Sequence, residues 1–130
     1  MPHLQFEVSE PLADDAVDGF IERVTGLFAE HMDTGTGHVA VTVRDDAGVA
    51  LGRAAADEPV AVLNADVRAG RTADQRRALA ADCIAALADR LGVPPANCYV
   101  VYTEHPGADF HLDEGPLDAW DAGEDETGAL

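Results

Sequence analysis

Three residues of this chain could do chemistry as a set: Pro2, Arg68 and Arg71. Pro2 directly follows the initiator methionine. A small second residue allows that methionine to be trimmed, which would leave a free secondary amine at the head of a strand. An α-amine titrates near about 7.7–8.0, and both burial and neighbouring cations disfavour its charged form. A prolyl nitrogen so placed could serve as a general base near neutral pH, or as a nucleophile toward a carbonyl. With Met1 retained the nitrogen is an amide, and none of this follows.

The arginines gain weight from their scarcity. Twenty-five Asp and Glu face eight basic residues, all arginine, for a formal charge of −17. Arg68 and Arg71 stand three apart in DVRAGRT, at a strand-to-helix junction whose Gly70 permits a close backbone approach. Two guanidinium forks beside a helix N-terminus suit a carboxylate. A solvated loop paired with the abundant acids is the plainer alternative. Arg76 and Arg77, on the helix itself, read as surface or interface residues.

The background charge repels nucleic-acid phosphate and anionic lipid, so neither is expected as a partner. Adaptation to a high-salt cytoplasm explains the charge most simply; an acidic face for a basic partner is the other reading. In either case carboxylate pairs arise by chance and carry little information. No segment reaches the roughly 20 apolar residues of a membrane span, and the N-terminus has no secretory pattern. Cys83 and Cys98 read as reduced, buried residues of a cytoplasmic protein. His105 and His111 lack any standard ligand spacing, so no metal is expected. His3 and His38 read as polar strand positions.

The elements that must hold these residues follow from periodicity. Leu4, Phe6 and Val8 alternate as a strand. Val17, Phe20, Ile21, Val24, Leu27, Phe28 and His31 recur at helical spacing over about five turns, until TGTG at 34–37 stops them. Val39, Val41 and Val43 give a second strand. The polar stretch 44–59 leaves room for a short strand or hairpin around VALGR. VAVLNADV (60–67) is a third strand. Thr72 and Gln75 form a capping box for a second helix, with Arg77, Ala80, Ala81, Ile84, Leu87, Ala88 and Leu91 as its inner stripe, ended by Gly92 and Pro94-Pro95. CYVVYT (98–103) is the fourth strand.

The halves repeat at an offset of about 59 residues, with units at about 2–45 and 60–105. Each is β-α-β with a right-handed crossover and parallel strands. Together they predict an α+β fold, a four-stranded sheet with two helices on one face. The apolar residues of the other face would need cover, which points to a closed oligomer. Beyond Trp120 the chain is acidic and aperiodic, and should fray.

The Pro2 start, ADVRAGRTADQRRAL and YVVYTEHPGADFHLDEG together resemble the tautomerase superfamily, over residues 1–117 as one domain ahead of an acidic tail (118–130). AGRTADQRRAL resembles 4-oxalocrotonate tautomerase, and PHLQFEV resembles 5-carboxymethyl-2-hydroxymuconate isomerase. The order VALGR, EPVAV, CYVVY is similar to macrophage migration inhibitory factor. The Arg68/Arg71 pair with His31 and Tyr102 resembles cis-3-chloroacrylic acid dehalogenase. The resemblance implies a cofactor-free homotrimer acting on a small anionic substrate, with Pro2 as catalytic amine. Arg71 and Arg68 would hold carboxylate, Tyr102 would bond substrate or water, and His31 would stand at the pocket edge. Phe110 would be a pocket wall. The water-activating acid of the dehalogenase branch matches either Asp113 or Glu114. The lysine of the migration-factor branch has no counterpart here; Thr34 falls near its place. The implied chemistry is keto–enol isomerisation, with hydration or dehalogenation of a 3-substituted acrylic acid, or a non-enzymatic binding role, as alternatives.

Overall fold

The computed structural model describes residues 2–116; Met1, Leu117 and the acidic tail at 118–130 lie outside the described residues. Strand β1 (Pro2–Val8) is followed by helix α1 (Asp14–His31) and strand β2 (Ala40–Arg44). Strand β3 (Ala61–Arg68), helix α2 (Ala73–Leu91) and strand β4 (Cys98–His105) repeat that order. A two-stranded hairpin, β5 (His111–Leu112) with β6 (Gly115–Pro116), closes the described chain. The main sheet runs β2-β1-β3-β4, parallel within each unit and antiparallel across the β1–β3 seam.

The repeat is obeyed at the level of register. Leu4 pairs with Val41 and Leu63 with Val100, two pairs related by the same 59-residue step in both members. At the seam Gln5 pairs with Asn64, which is its own equivalent, so a local twofold axis passes through that pair. The two halves therefore point their equivalent ends in opposite directions.

Alternation decides which face is buried. Leu4, Phe6 and Val8 of β1 and Ala61, Leu63, Ala65 and Val67 of β3 are buried beneath the helices, with Phe20, Val24, Leu27 and Phe28 of α1 above them. Phe6 meets Phe20 edge to face, with ring centroids 4.8 Å apart. The inner stripe of α2 differs from the expected one. Leu79, Cys83, Ala86 and Leu87 are buried, whereas Arg77 and Ala81 face solvent. The stripe is rotated by about one residue, because in an alanine-rich helix the few larger side chains set the packed face. The caps match expectation: Thr72 and Gln75 make a reciprocal capping box, and Gly92 ends the helix in the left-handed region at φ 71°.

The segment 45–60 contains no strand, contrary to the short strand or hairpin considered around VALGR. Ala and Gly supply few β-branched side chains there, and local turns such as Ala54 N–H to Leu51 O (2.9 Å) take over. Arg53 pins this loop by donating to the Ala96 carbonyl at 2.6 Å.

The helix-free face of the sheet is mostly polar. His3 bonds Thr42 at 2.8 Å, His105 bonds Asp66 at 2.8 Å, and the Gln5 amide oxygen accepts from Arg44 at 2.6 Å. Its apolar part is confined to the β3–β4 side, where Tyr99 and Val101 are exposed. Among the described residues no helix is long and apolar enough to cross a membrane.

Candidate active site

Topology gathers one end of the sheet. β1 and β2 start there, β3 and β4 end there, and α1 returns there with its C-terminus. Pro2 is buried and pairs with Val67, which places it one residue from Arg68 across the seam. The chain then leaves β3 through Ala69, whose N–H donates to the His105 carbonyl at 2.8 Å. Gly70 takes φ 127°, a conformation that L side chains rarely adopt. This bend turns Arg71 back under α1 before the capping box starts α2.

Both arginines are buried, with 3% of Arg68 and 5% of Arg71 exposed. Arginine is almost never buried to that extent without a partner, and a guanidinium out of bulk water attracts an anion more strongly than an exposed one. The Arg71 guanidinium carbon lies over the Phe28 ring of α1, 5.9 Å from its centroid, within reach of a cation–π contact.

Other candidates fall into two groups. At the same end, Phe110 meets His105 edge to face at 5.6 Å, and Glu114 approaches His38 at 3.9 Å from the β5–β6 hairpin. Asp113 sits exposed at the turn of that hairpin. His31 and Tyr102 are engaged with α2. His31 Nε2 is 2.6 Å from Asp82 Oδ2, and its carbonyl accepts from the Gln75 side chain at 3.2 Å. The Tyr102 hydroxyl donates to the Arg76 carbonyl at 2.7 Å. Burial pushes the Tyr102 phenol above its ordinary range, the Cys83 thiol adding to the effect and Arg76 opposing it. Burial raises the Cys83 thiol to about 12 and the Cys98 thiol to about 11, so neither is an activated nucleophile. Among the described residues no group of three or more His, Cys, Asp or Glu could hold a metal ion.

Arg76, read from sequence as a surface or interface residue, is part of this arrangement. Its Nη1 donates to the Arg71 carbonyl at 2.8 Å and lies 3.4 Å from Glu104. A signal was available: Glu104 is two residues from Tyr102, so both point to the helix face, where a carboxylate calls for one of the few cations. Phe28 and Gln75 were legible as core and cap, but not as supports of the arginine.

Two fused β-α-β units forming one four-stranded sheet are the fold of the tautomerase superfamily, and the chain is a member of it. Within it the chain belongs to the macrophage migration inhibitory factor (MIF) family, whose profile matches residues 1–113. The fold is similar to that of Pt0534, solved after inactivation by 2-oxo-3-pentynoate: TM-score 0.78, 21% identity, covering 88% of this chain and 94% of that one. It is similar also to N1, a member of the cis-3-chloroacrylic acid dehalogenase family, with TM-score 0.76, 26% identity and coverage of 92% and 86%. Native fused 4-OT gives TM-score 0.73, 24% identity and coverage of 88% and 94%. No curated protein matches the chain.

Proposed function

We propose that this protein is a cofactor-independent tautomerase whose Pro2 nitrogen, uncovered by removal of Met1, moves a proton on a small carboxylate-bearing keto/enol substrate. The observation that carries the reading is the burial of Arg68 and Arg71 in the segment that continues from the pairing partner of Pro2. In this reading the amine takes the enol hydroxyl proton and a proton is delivered to the adjacent carbon, so the substrate's formula is unchanged. Arg71 and Arg68 hold the carboxylate and stabilise the negative charge that develops on oxygen. Against a surface of net charge −17, these two cations also focus an anionic substrate onto one place. The protein works as a homotrimer in a salty cytoplasm, with one proline site for each chain.

The test combines three measurements at high salt. Intact mass should show loss of Met1. A phenylpyruvate-type enol should ketonise faster with native protein than with Pro2→Ala. An acetylenic 2-oxo acid, 2-oxo-3-pentynoate, should add to the chain with its full mass and map to Pro2. Retained Met1, or equal turnover by native and Pro2→Ala protein, overturns the reading.

A second reading, water addition to a 3-substituted acrylic acid, draws support from the likeness to N1 and from the carboxylates on the β5–β6 hairpin. There protonated Pro2 acts as the acid, and Asp113 or Glu114 prepares the water. Halide release from a 3-haloacrylate would select this reading; ketonisation without any hydration product would select the first.

A further inference from the structure

Arg71 can grip a carboxylate only if its backbone is held, and the loop that carries it follows Gly70, which takes φ 127° and has no side chain to anchor the bend. Three elements meet to hold that loop. From β4, Ala69 N–H reaches the His105 carbonyl at 2.8 Å. From the C-terminus of α1, the His31 carbonyl takes the Gln75 side chain at 3.2 Å, while the Gln75 side-chain oxygen accepts from Thr72 N–H at 2.9 Å. The third support is Arg76, whose Nη1 caps the Arg71 carbonyl itself at 2.8 Å. Arg76 is in turn seated from the last strand. Its side chain lies 3.4 Å from Glu104 and its carbonyl receives the Tyr102 hydroxyl at 2.7 Å. Its own N–H closes the first helical turn on the Thr72 carbonyl at 3.1 Å.

We infer that Arg76 is a positioning residue for Arg71, and that Tyr102 and Glu104 act on the site through it. The inference rests on the tautomerase reading for its kinetic consequence, but not for its structural one. Glu104 neutralises the Arg76 charge, so Arg76 contributes geometry and leaves the anion to Arg71. In a bidentate contact, a displacement of about 1 Å costs up to about a hundredfold in rate. Removing Arg76 should act as a partial displacement of that kind.

The experiment compares native protein with Arg76→Ala, Arg76→Lys, Arg71→Ala and the Arg71→Ala/Arg76→Ala double variant. Arg76→Ala should raise KM for phenylenolpyruvate by about tenfold with a smaller change in kcat, and should impair turnover of its uncharged methyl ester much less. Arg76→Lys should restore part of the loss. In the Arg71→Ala background, removal of Arg76 should add nothing, since residues that act as one unit are not additive. Independently of turnover, hydrogen exchange at the Ala69–Thr72 amides should quicken in Arg76→Ala while the melting temperature holds within a few degrees. Equal losses for acid and ester, additive losses in the double variant, or unchanged loop exchange each overturn the inference. A native protein without turnover sinks the tautomerase reading alone, and loop exchange then still decides the role of Arg76.

Discussion

Replacing Arg71 by alanine tests the charge logic of the site most directly. Arg71 is 5% exposed and lies over Phe28, so a carboxylate held there, as proposed, would be gripped largely out of water. A hydrogen bond to a charged group contributes about 1.5–3 kcal/mol, and a bidentate pair makes two of them, or about 3–6 kcal/mol. At about 1.4 kcal/mol for each factor of ten, kcat/KM for a carboxylate enol should fall by about a hundredfold to ten-thousandfold. Arg71→Lys keeps the charge but loses the fork, and should recover only part of the loss. Ketonisation followed by ultraviolet absorbance, with thermal melts of each variant alongside, checks this. The cation–π contact with Phe28 is worth about 0.5–2 kcal/mol, so the fold should survive the change. A folded Arg71→Ala protein within threefold of native kcat/KM would refute the reasoning.

Further outcomes concern stability. Thr72→Ala removes the hydroxyl that accepts from the Gln75 N–H at 3.1 Å, and should cost about 1 kcal/mol in urea unfolding. Leu63→Ala empties a fully buried position in the middle of β3, and should cost about 2–5 kcal/mol, enough to lower the urea midpoint clearly. Alkaline stability should fall through deprotonation of Cys83. Burial pushes its thiol up to about 12 from an ordinary value of 9.0, so between those values the unfolded chain binds fewer protons. Stability is then fully present below pH 9 and declines by up to about 1.4 kcal/mol per pH unit above it. Tyr102, raised in the same direction, adds to the decline. Cys83→Ala should flatten the alkaline limb of a pH series of urea melts; an unchanged limb would show that the thiol does not drive it.

The sheet was legible because its strands alternate cleanly: Leu4, Phe6 and Val8 leave one choice of buried face, and their 59-residue counterparts repeat it. The capping box was legible because its chemistry is local. The face of α2 was not, since Ala80, Ala81, Ala85, Ala86 and Ala88 are interchangeable in a hydropathy pattern and only tertiary packing chooses among them. The loop at 45–60 was misjudged for a similar reason, its few apolar residues being too sparse to fix a period. At the site, Arg68 and Arg71 stood out by scarcity, and Gly70 marked the bend between them. What sequence could not give was the direction in which His31 and Tyr102 turn. Both are committed to α2, through Asp82 and the Arg76 carbonyl, and such long-range pairings leave no mark on local spacing.

The twofold at Gln5 and Asn64 makes the molecule lopsided in what it can tolerate. The place equivalent to Pro2 is Ala61, and those of Arg68 and Arg71 are Ser9 and Leu12, at the far end of the same sheet. Even a proline installed at 61 would be inert there, because an internal nitrogen is tied into a peptide bond. Doubling the reactive centre would require cutting the chain ahead of that residue. The residues of the far end instead join the two halves, as Val8 does with Ala61.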